Sequence, residues 1–354
     1  MPVLQPTHII VDTLIRAIEG AQEEVLLQSY YIQNDKIFES IAKKLIEKSK
    51  AGVPVYCLFD ALGAQEISDS TIETEMLTAG VRIQYFNWLT PWAGRNKKIW
   101  YFRNHKRSLI IDGKHIHVGG WCIGDRTQNW TEAYTHSSEE DLVASGLKDF
   151  WNMYVYAHKT QLRFKNQNRY IYSDEKDISY TYHAPIMQGR YIYHTHKRLL
   201  SSATKKVVLI VPYFAPTHTL KNLIRKKAKQ GVTVEIILPK KTDIRITDLV
   251  AKTYIHGLLR DGVSVYMSDS MVHAKVALFD DVAYIGSSNL DPVSLRYNFE
   301  NGIYTKESHT ITELEQDIVT LKETCTKLTL EDWENRTLFE KFLDKFMKIF
   351  RAFV

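Results

Sequence analysis

The same succession of chain elements is written twice in this sequence, and that repetition limits the possible folds more than any other feature. A β-like run at 25–31 (VLLQSYY) opens one copy and another at 207–214 (VVLIVPYF) opens the second. Each is followed by a charged helical stretch that stops at a glycine and runs into β-branched residues, AGVPVYCLFD at 51–60 and KKAKQGVTVEIILP at 226–239. The unit then recurs once per copy, as LTAGVRIQYF at 77–86 and LLRDGVSVYM at 258–267. Glycine at a helix end accepts the left-handed backbone found there, and the Val, Ile and Tyr that follow favour a strand. Strands alternating with helices predict an α/β fold of two related halves about a pseudo-two-fold axis, each a mixed, mainly parallel sheet flanked by helices. At 354 residues the chain exceeds what one hydrophobic core usually holds. The halves are placed at 1–165 and 166–308, with 309–354 a C-terminal helical segment.

A third matching block closes each copy: RNHKRSLIIDGKHIHVGG at 103–120 and MVHAKVALFDDVAYIGSSN at 271–289. In both, a His is followed two residues later by a cation, then by an apolar strand, an acid, a second short strand and a Gly-rich turn. His105 and His273 lie 168 residues apart (273 less 105), about half the chain. Side chains at i and i+2 of a strand share one face, so His105 pairs with Arg107 and His273 with Lys275, while Lys106 and Ala274 point away. A single strand histidine is usually structural, but two in matching positions of a repeat call for a shared task. Packed about the pseudo-two-fold axis, two imidazoles and two cations would converge on one pocket at the seam.

Such a pocket suits a phosphoryl group. Phosphodiester cleavage needs a nucleophile, a proton donor for the leaving oxygen, and positive charge on the phosphoryl oxygens. Imidazole serves both of the first two because its ordinary pKa of ~6.5 leaves either protonation state accessible near neutrality. No HExxH, carboxylate cluster or Cys/His set is written in the sequence, so neither a metal nor another cofactor is expected.

At these residues the sequence resembles the phospholipase D superfamily, whose pattern is HxK, four residues, Asp, six or so residues, then GSxN or GGxN. The second block matches in full with His273, Lys275, Asp280, Gly286, Ser287 and Asn289. The first departs at Arg107, in place of Lys, and at Cys122, in place of Asn. Reading His105-Lys106-Arg107 one residue over would make Lys106 the site cation. By resemblance, His105 is the nucleophile and His273 the general acid, Glu300 and Glu139 hold the two imidazoles with Asp141 the runner-up to Glu139, and Arg107, Lys275, Asn289 and Ser287 bind phosphoryl oxygens. Asp112 and Asp280 brace the fold.

The strings RNHKR before IIDG, GGWCIGDR at 119–126, GSSNLDPVS at 286–294 and the following NFE resemble cardiolipin synthases within that superfamily. The resemblance implies a metal-independent phosphatidyltransferase acting on phosphatidylglycerol through a phosphatidyl-histidine. The alternatives are a phospholipase D releasing phosphatidic acid, a phosphodiesterase or nuclease on the same residues, and a binding module whose first half has decayed. Nucleic acid is the weaker partner, since 46 Lys+Arg against 41 Asp+Glu leave only +5 over the whole chain. An anionic phospholipid is the expected substrate.

Cys57, Cys122 and Cys325 are too few and too scattered for a disulfide framework, and no stretch reads as a signal peptide or membrane span. The expected location is cytoplasmic with peripheral membrane association, with removal of an N-terminal anchor left open. Two segments could meet a bilayer. In 333–354, Phe339, Phe342, Phe346, Ile349, Phe350 and Phe353 recur at helical spacing among Lys341, Lys345, Lys348 and Arg351, which fits either a membrane-surface helix or one packed on the core. The Trp88 to Tyr101 loop mixes Trp88, Trp92, Trp100 and Tyr101 with Arg95, Lys97 and Lys98 at the mouth of the pocket.

Overall fold

The computed structural model describes residues 3–87, 101–158, 175–184 and 189–349. The expected boundary between halves at 165/166, the Trp88 to Trp100 stretch, Phe350, Arg351 and Phe353 lie outside them. The first half runs β1 (Leu4–Pro6), α1 (Thr7–Gly20), β2 (Val25–Ser29), α2 (Lys36–Lys50), β3 (Val55–Asp60), α3 (Thr71–Thr78), β4 (Arg82–Phe86), β5 (Ser108–Ile111), β6 (His115–Gly119), β7 (Thr131–Ser137) and α4 (Glu140–His158). The second runs β8 (Ile178–His183), α5 (Tyr191–Ser202), β9 (Lys206–Ile210), α6 (His218–Lys229), β10 (Thr233–Pro239), α7 (Arg245–Arg260), β11 (Ser264–Ser268), β12 (Val276–Phe279), β13 (Val282–Gly286), α8 (Pro292–Arg296), β14 (Glu300–Thr305) and α9 (Ser308–Glu323). The chain ends in β15 (Cys325–Leu328), α10 (Leu330–Glu334) and α11 (Leu338–Met347).

Local chemistry accounts for these elements. In α2 the Asp35 carboxylate caps the helix by accepting from the Ile37 and Phe38 amides, and Phe38, Ile41, Ala42 and Leu45 put one stripe into the core. The four glycines read as helix stops, Gly52, Gly80, Gly231 and Gly262, all have φ between 86° and 93°, which a side chain would strain.

The strands form two sheets, ordered β1-β7-β6-β5-β2-β3-β4 and β15-β11-β10-β9-β12-β13-β14-β8. Six neighbours match between them, β7-β6-β5-β2-β3-β4 against β14-β13-β12-β9-β10-β11, as a duplicated unit requires. The sheets are mixed, as expected, but antiparallel pairing is commoner than helix–strand alternation implied. Among the strands of the described residues, β2/β3/β4 and β9/β10/β11 are the parallel ones. The reason is the third block: its acid sits in a tight turn, so β5/β6 and β12/β13 are hairpins, which are antiparallel by construction.

The C-terminal segment, read as helical, also holds a strand. β15 pairs antiparallel with β11 and completes the edge of the second sheet. Helix α9 buries Leu314 and Ile318 against that sheet, and its Asp317 carboxylate accepts from the Val3 and Leu4 amides at 2.6 and 2.9 Å, tying the chain start to the other half. Side chains of both halves share the seam, with Phe299, Ile303 and Tyr180 packed among Leu26, Ile110 and Phe150. Among the described residues no helix is long and apolar enough to cross a membrane.

Candidate active site

The two hairpins are each anchored by their motif acid. Asp112 accepts from the backbone amides of Gln22, Glu23 and Glu24, and Asp280 from those of Thr204, Lys205 and Lys206, all within 3.0 Å. Both acids have positive φ, 54° and 52°, a conformation that Asp tolerates better than most residues. They fasten each hairpin to the start of β2 or β9, and therefore sit at the opposite end of the strands from the histidines.

The residues leading into β5 and β12 cross the seam. The His105 amide donates to the Phe299 carbonyl at 2.9 Å and the Phe299 amide to the Arg103 carbonyl at 2.8 Å. In the other half-site the His273 amide donates to the Thr131 carbonyl at 2.8 Å and the Thr131 amide to the Met271 carbonyl at 2.9 Å. Each histidine is thus clipped to the strand of the opposite half, one residue before an acid. Glu300 lies 2.9 Å from His105 Nδ1 through both oxygens, and Glu132 Oε1 lies 2.6 Å from His273 Nδ1.

Glu132 corrects the sequence expectation. Glu139 is exposed at the mouth of α4, where its amide donates to Ser137 Oγ, and Asp141 is exposed and paired with Lys176. Glu132 is fully buried. The repeat itself carried the missed signal, because Glu132 stands 168 residues before Glu300, the spacing of the two histidines and of Asp112 and Asp280.

Ser287 also departs from its expected role on the phosphate. Its hydroxyl is 2.5 Å from Glu300 Oε2 as donor and accepts from the Asn301 amide at 2.9 Å, so it positions the acid. Asn298 Nδ2 donates to Glu300 Oε1 at 3.3 Å. The counterpart of Ser287 in the first half is Gly120, where a Cβ would come within 2.9 Å of Glu132 Oε2 and 3.1 Å of Lys275 Cδ. Glu132 Oε2 is buried without a hydrogen-bond partner.

Both motif cations are buried. Arg107, almost wholly buried, donates to the Trp121 carbonyl at 3.0 Å and the His105 carbonyl at 2.5 Å, and its Nη2 lies 3.9 Å from Cys122 Sγ. Cys122 Sγ is in turn 3.9 Å from His273 Nδ1, so the first-half cation comes within two contacts of the second-half imidazole. Lys275 Nζ lies 2.7 and 2.8 Å from the two His273 ring nitrogens. Lys106 faces away into a buried pair with Asp149 at 2.5 and 2.7 Å, with Tyr180 also on Asp149, which rules out the shifted register. Asn301, unremarked in the sequence, clamps the Arg107 backbone from β14 through both its amide groups at 3.2 Å. Asn289 is buried with its Oδ1 unsatisfied.

The two imidazoles are polarised in opposite senses. Burial, aided by the charges of Arg107, Lys275 and His273, holds His105 well below its ordinary pKa. Burial acts the same way on His273 and Lys275 opposes its charging too, but Glu132 and Cys122 outweigh them and raise it. Burial pushes Lys275 down to about 8. For Cys122, burial alone would raise the thiol, and His273 and Arg107 more than offset it. Aromatic rings wall the pair, Tyr30 at 4.8 Å from His105 and Trp130 and Tyr213 at 5.1 and 6.0 Å from His273.

Cys122, Glu132 and His273 bring three ligand atoms within 4.8 Å of one another, a donor set that zinc accepts. The imidazole nitrogen in that set is already engaged by Glu132, and Arg107 and Lys275 abut it, so the local charge favours an anionic occupant.

A two-half α/β body with a paired His-x-cation site at its seam defines the phospholipase D class. The family model described as "Cardiolipin synthase, PLD-like domain" matches residues 14–154 and 197–321, and the chain belongs to that family. It is an enzyme of the phosphatidyltransferase type. Cardiolipin synthase 1 of Bacillus cereus is 27% identical over 358 aligned positions, 95% of this chain and 69% of that protein. Cardiolipin synthase of Clostridium perfringens is 27% identical over 95% of this chain and 73% of its own length. Among solved structures, phosphatidylserine synthase of Haemophilus influenzae shares the fold with a TM-score of 0.75 at 14% identity, covering 99% of this chain and 93% of that one. Polyphosphate kinase of Porphyromonas gingivalis shares it at 0.60 and 12%, covering 53% of its own chain.

Proposed function

We propose that the enzyme transfers a phosphatidyl group from phosphatidylglycerol to a second lipid alcohol, as a cardiolipin synthase does. The observation that carries this reading is the pair of imidazoles, each held at Nδ1 by an acid of the opposite half and shifted in opposite directions.

Neutral His105 keeps the proton on Nδ1 toward Glu300, which leaves the Nε2 lone pair to attack phosphorus. The phosphorus–oxygen bond to the glycerol headgroup breaks as the nitrogen–phosphorus bond forms, and charged His273 gives its proton to the departing oxygen. A phosphatidyl-histidine results. His273, now neutral, takes the proton of the incoming alcohol, whose oxygen displaces His105 and restores the enzyme. Arg107 and Lys275 supply charge to the phosphoryl oxygens in the transition state, where such contacts matter most. If water enters instead of the alcohol, the product is phosphatidic acid.

The test is incubation with phosphatidylglycerol vesicles and product analysis by mass. Cardiolipin with free glycerol is expected. Phosphatidic acid alone would place the protein among hydrolases, and unchanged lipid with cleavage of an oligonucleotide would overturn the lipid reading.

A further inference from the structure

Helix α11 does not turn its aromatic stripe into the core. Only Met347 is buried, with Leu343 against the second-half core, while Leu338, Phe339, Phe342, Phe346 and Ile349 are 84, 72, 67, 49 and 65% exposed. The helix lies along α7, and its direction can be read from two pairs. Glu334, just before it, is 3.1 Å from His256, and Glu340 is acted on by the charge of Lys252. As α11 advances, its partners on α7 fall in number, so the two helices are antiparallel. From Glu340 onward α11 therefore runs toward the α7 entry, where Ile246 lies.

That entry is the edge of the active site. Ile244 and Ile246 are each 45% exposed. The loop that presents them is fixed by Thr242, whose amide and hydroxyl donate to Asp248 at 2.7 to 3.1 Å. Asp243 accepts from the Tyr213 hydroxyl at 2.5 Å, and the Tyr213 ring lies 6.0 Å from His273. The exposed apolar side chains at the α7 entry thus lie at the end toward which α11 runs, and Ile244 follows directly on Asp243, the partner of Tyr213. Lys341, Lys345, Lys348, Lys241 and Arg245 border it and are exposed. Of the acids nearby, Glu340 closes the α11 capping box, Asp344 is paired with Arg336 and Asp243 holds Tyr213.

We propose that this surface, α11 together with the loop leading into α7, docks on an anionic phospholipid bilayer and presents the mouth beside Tyr213 to the lipid. Apolar side chains ringed by cations enter the interfacial layer while the cations meet lipid phosphates. The proposal deepens the lipid reading given above and rests on it for its purpose. Unlike a tether at the far end of the chain, a face that includes Ile244 and Ile246 fixes how the site meets the membrane.

Flotation of the full chain with vesicles of phosphatidylglycerol and phosphatidylcholine tests it. F342S/F346S and, separately, I244S/I246S should each weaken binding at least tenfold with unchanged melting temperature. V319S, which removes a 57% exposed side chain from α9, should bind as the parent does. Parent-like binding by I244S/I246S overturns the proposal, as does equal parent binding to pure phosphatidylcholine. A dimer in sedimentation velocity that F342S/F346S dissociates also overturns it, since a second copy would then cover the face. The lipid reading fails separately: a parent that floats but makes no product leaves docking intact, and one that turns over dispersed short-chain phosphatidylglycerol without floating leaves only the reaction.

Discussion

The two half-sites share a backbone plan and differ in how their acids are held. Glu300 is bonded by Ser287 and Asn298 and lies against His105, and burial pushes its carboxyl well above the usual range although the Ser287 and Asn298 bonds oppose that. Glu132 faces Gly120 where Glu300 faces Ser287, and its second oxygen has no donor among the described residues. Its charge leads the influences that raise the His273 pKa against burial. One serine-to-glycine difference, with the neighbouring asparagine, accompanies the opposite pKa shifts of a pseudo-symmetric pair of imidazoles. Duplication supplies two identical groups, and catalysis of this kind needs two unlike ones.

The largest expected effect comes from removing either imidazole, and it should differ in kind between halves. H105A should abolish covalent labelling of the enzyme by substrate. H273A should slow turnover by about 100- to 10,000-fold while still labelling from a substrate whose leaving group needs no proton. Labelling that survives in H105A and maps to residues 271–289 would reverse the roles.

Next is the pH profile. His105 must be neutral, which its lowered pKa favours down to below the ordinary 6.5, and His273 must be charged, which its raised pKa favours to above that value. The profile of kcat/KM should therefore be bell-shaped, with its acid limb below 6.5 and its alkaline limb above, the latter joined by Lys275 near 8. E132Q should move the alkaline limb toward acid by about one unit or more, since an opposite charge in contact shifts a pKa by that order. E139A should leave the profile in place, and S287A should disturb the acid limb rather than the alkaline one.

Third, R107A should cost about 100- to 1,000-fold in kcat, the usual loss for one donor to a developing anion. R107K should keep part of the activity, because the charge survives while the hold on the Trp121 and His105 carbonyls weakens. An R107A enzyme at full rate would leave Lys275 as the sole working cation. The smallest catalytic effect belongs to the braces. D112A and D280A each lose charge-assisted bonds to three backbone amides, an expected cost of about 2 to 3 kcal/mol. That should lower Tm by a few degrees, with the rate per folded molecule nearly unchanged.

The bracing role of Asp112 and Asp280 was implied by the family resemblance, and sequence alone determined the duplicated α/β plan and the pairing of His105 with Arg107 and of His273 with Lys275. Each follows from local rules: strand alternation, glycine at helix ends, and residue types repeated at one period. It also held Glu132 in that period, where the acid-rich run at 136–146 drew attention instead. Three things were decided only in the tertiary structure. The acids serve the opposite halves because the chain crosses the seam between Thr131 and His273 and between Phe299 and His105, and no spacing within one half encodes a contact between two. The outward Phe face of α11 was open because an amphipathic stripe buries itself or not according to how much core remains to cover, and among the described residues the second-half core takes in Leu343 and Met347. The opposite pKa shifts of two like histidines depend on burial and on which charges stand beside each ring, Arg107 and Lys275 against His105 and Glu132 with Cys122 at His273, and that is settled by packing.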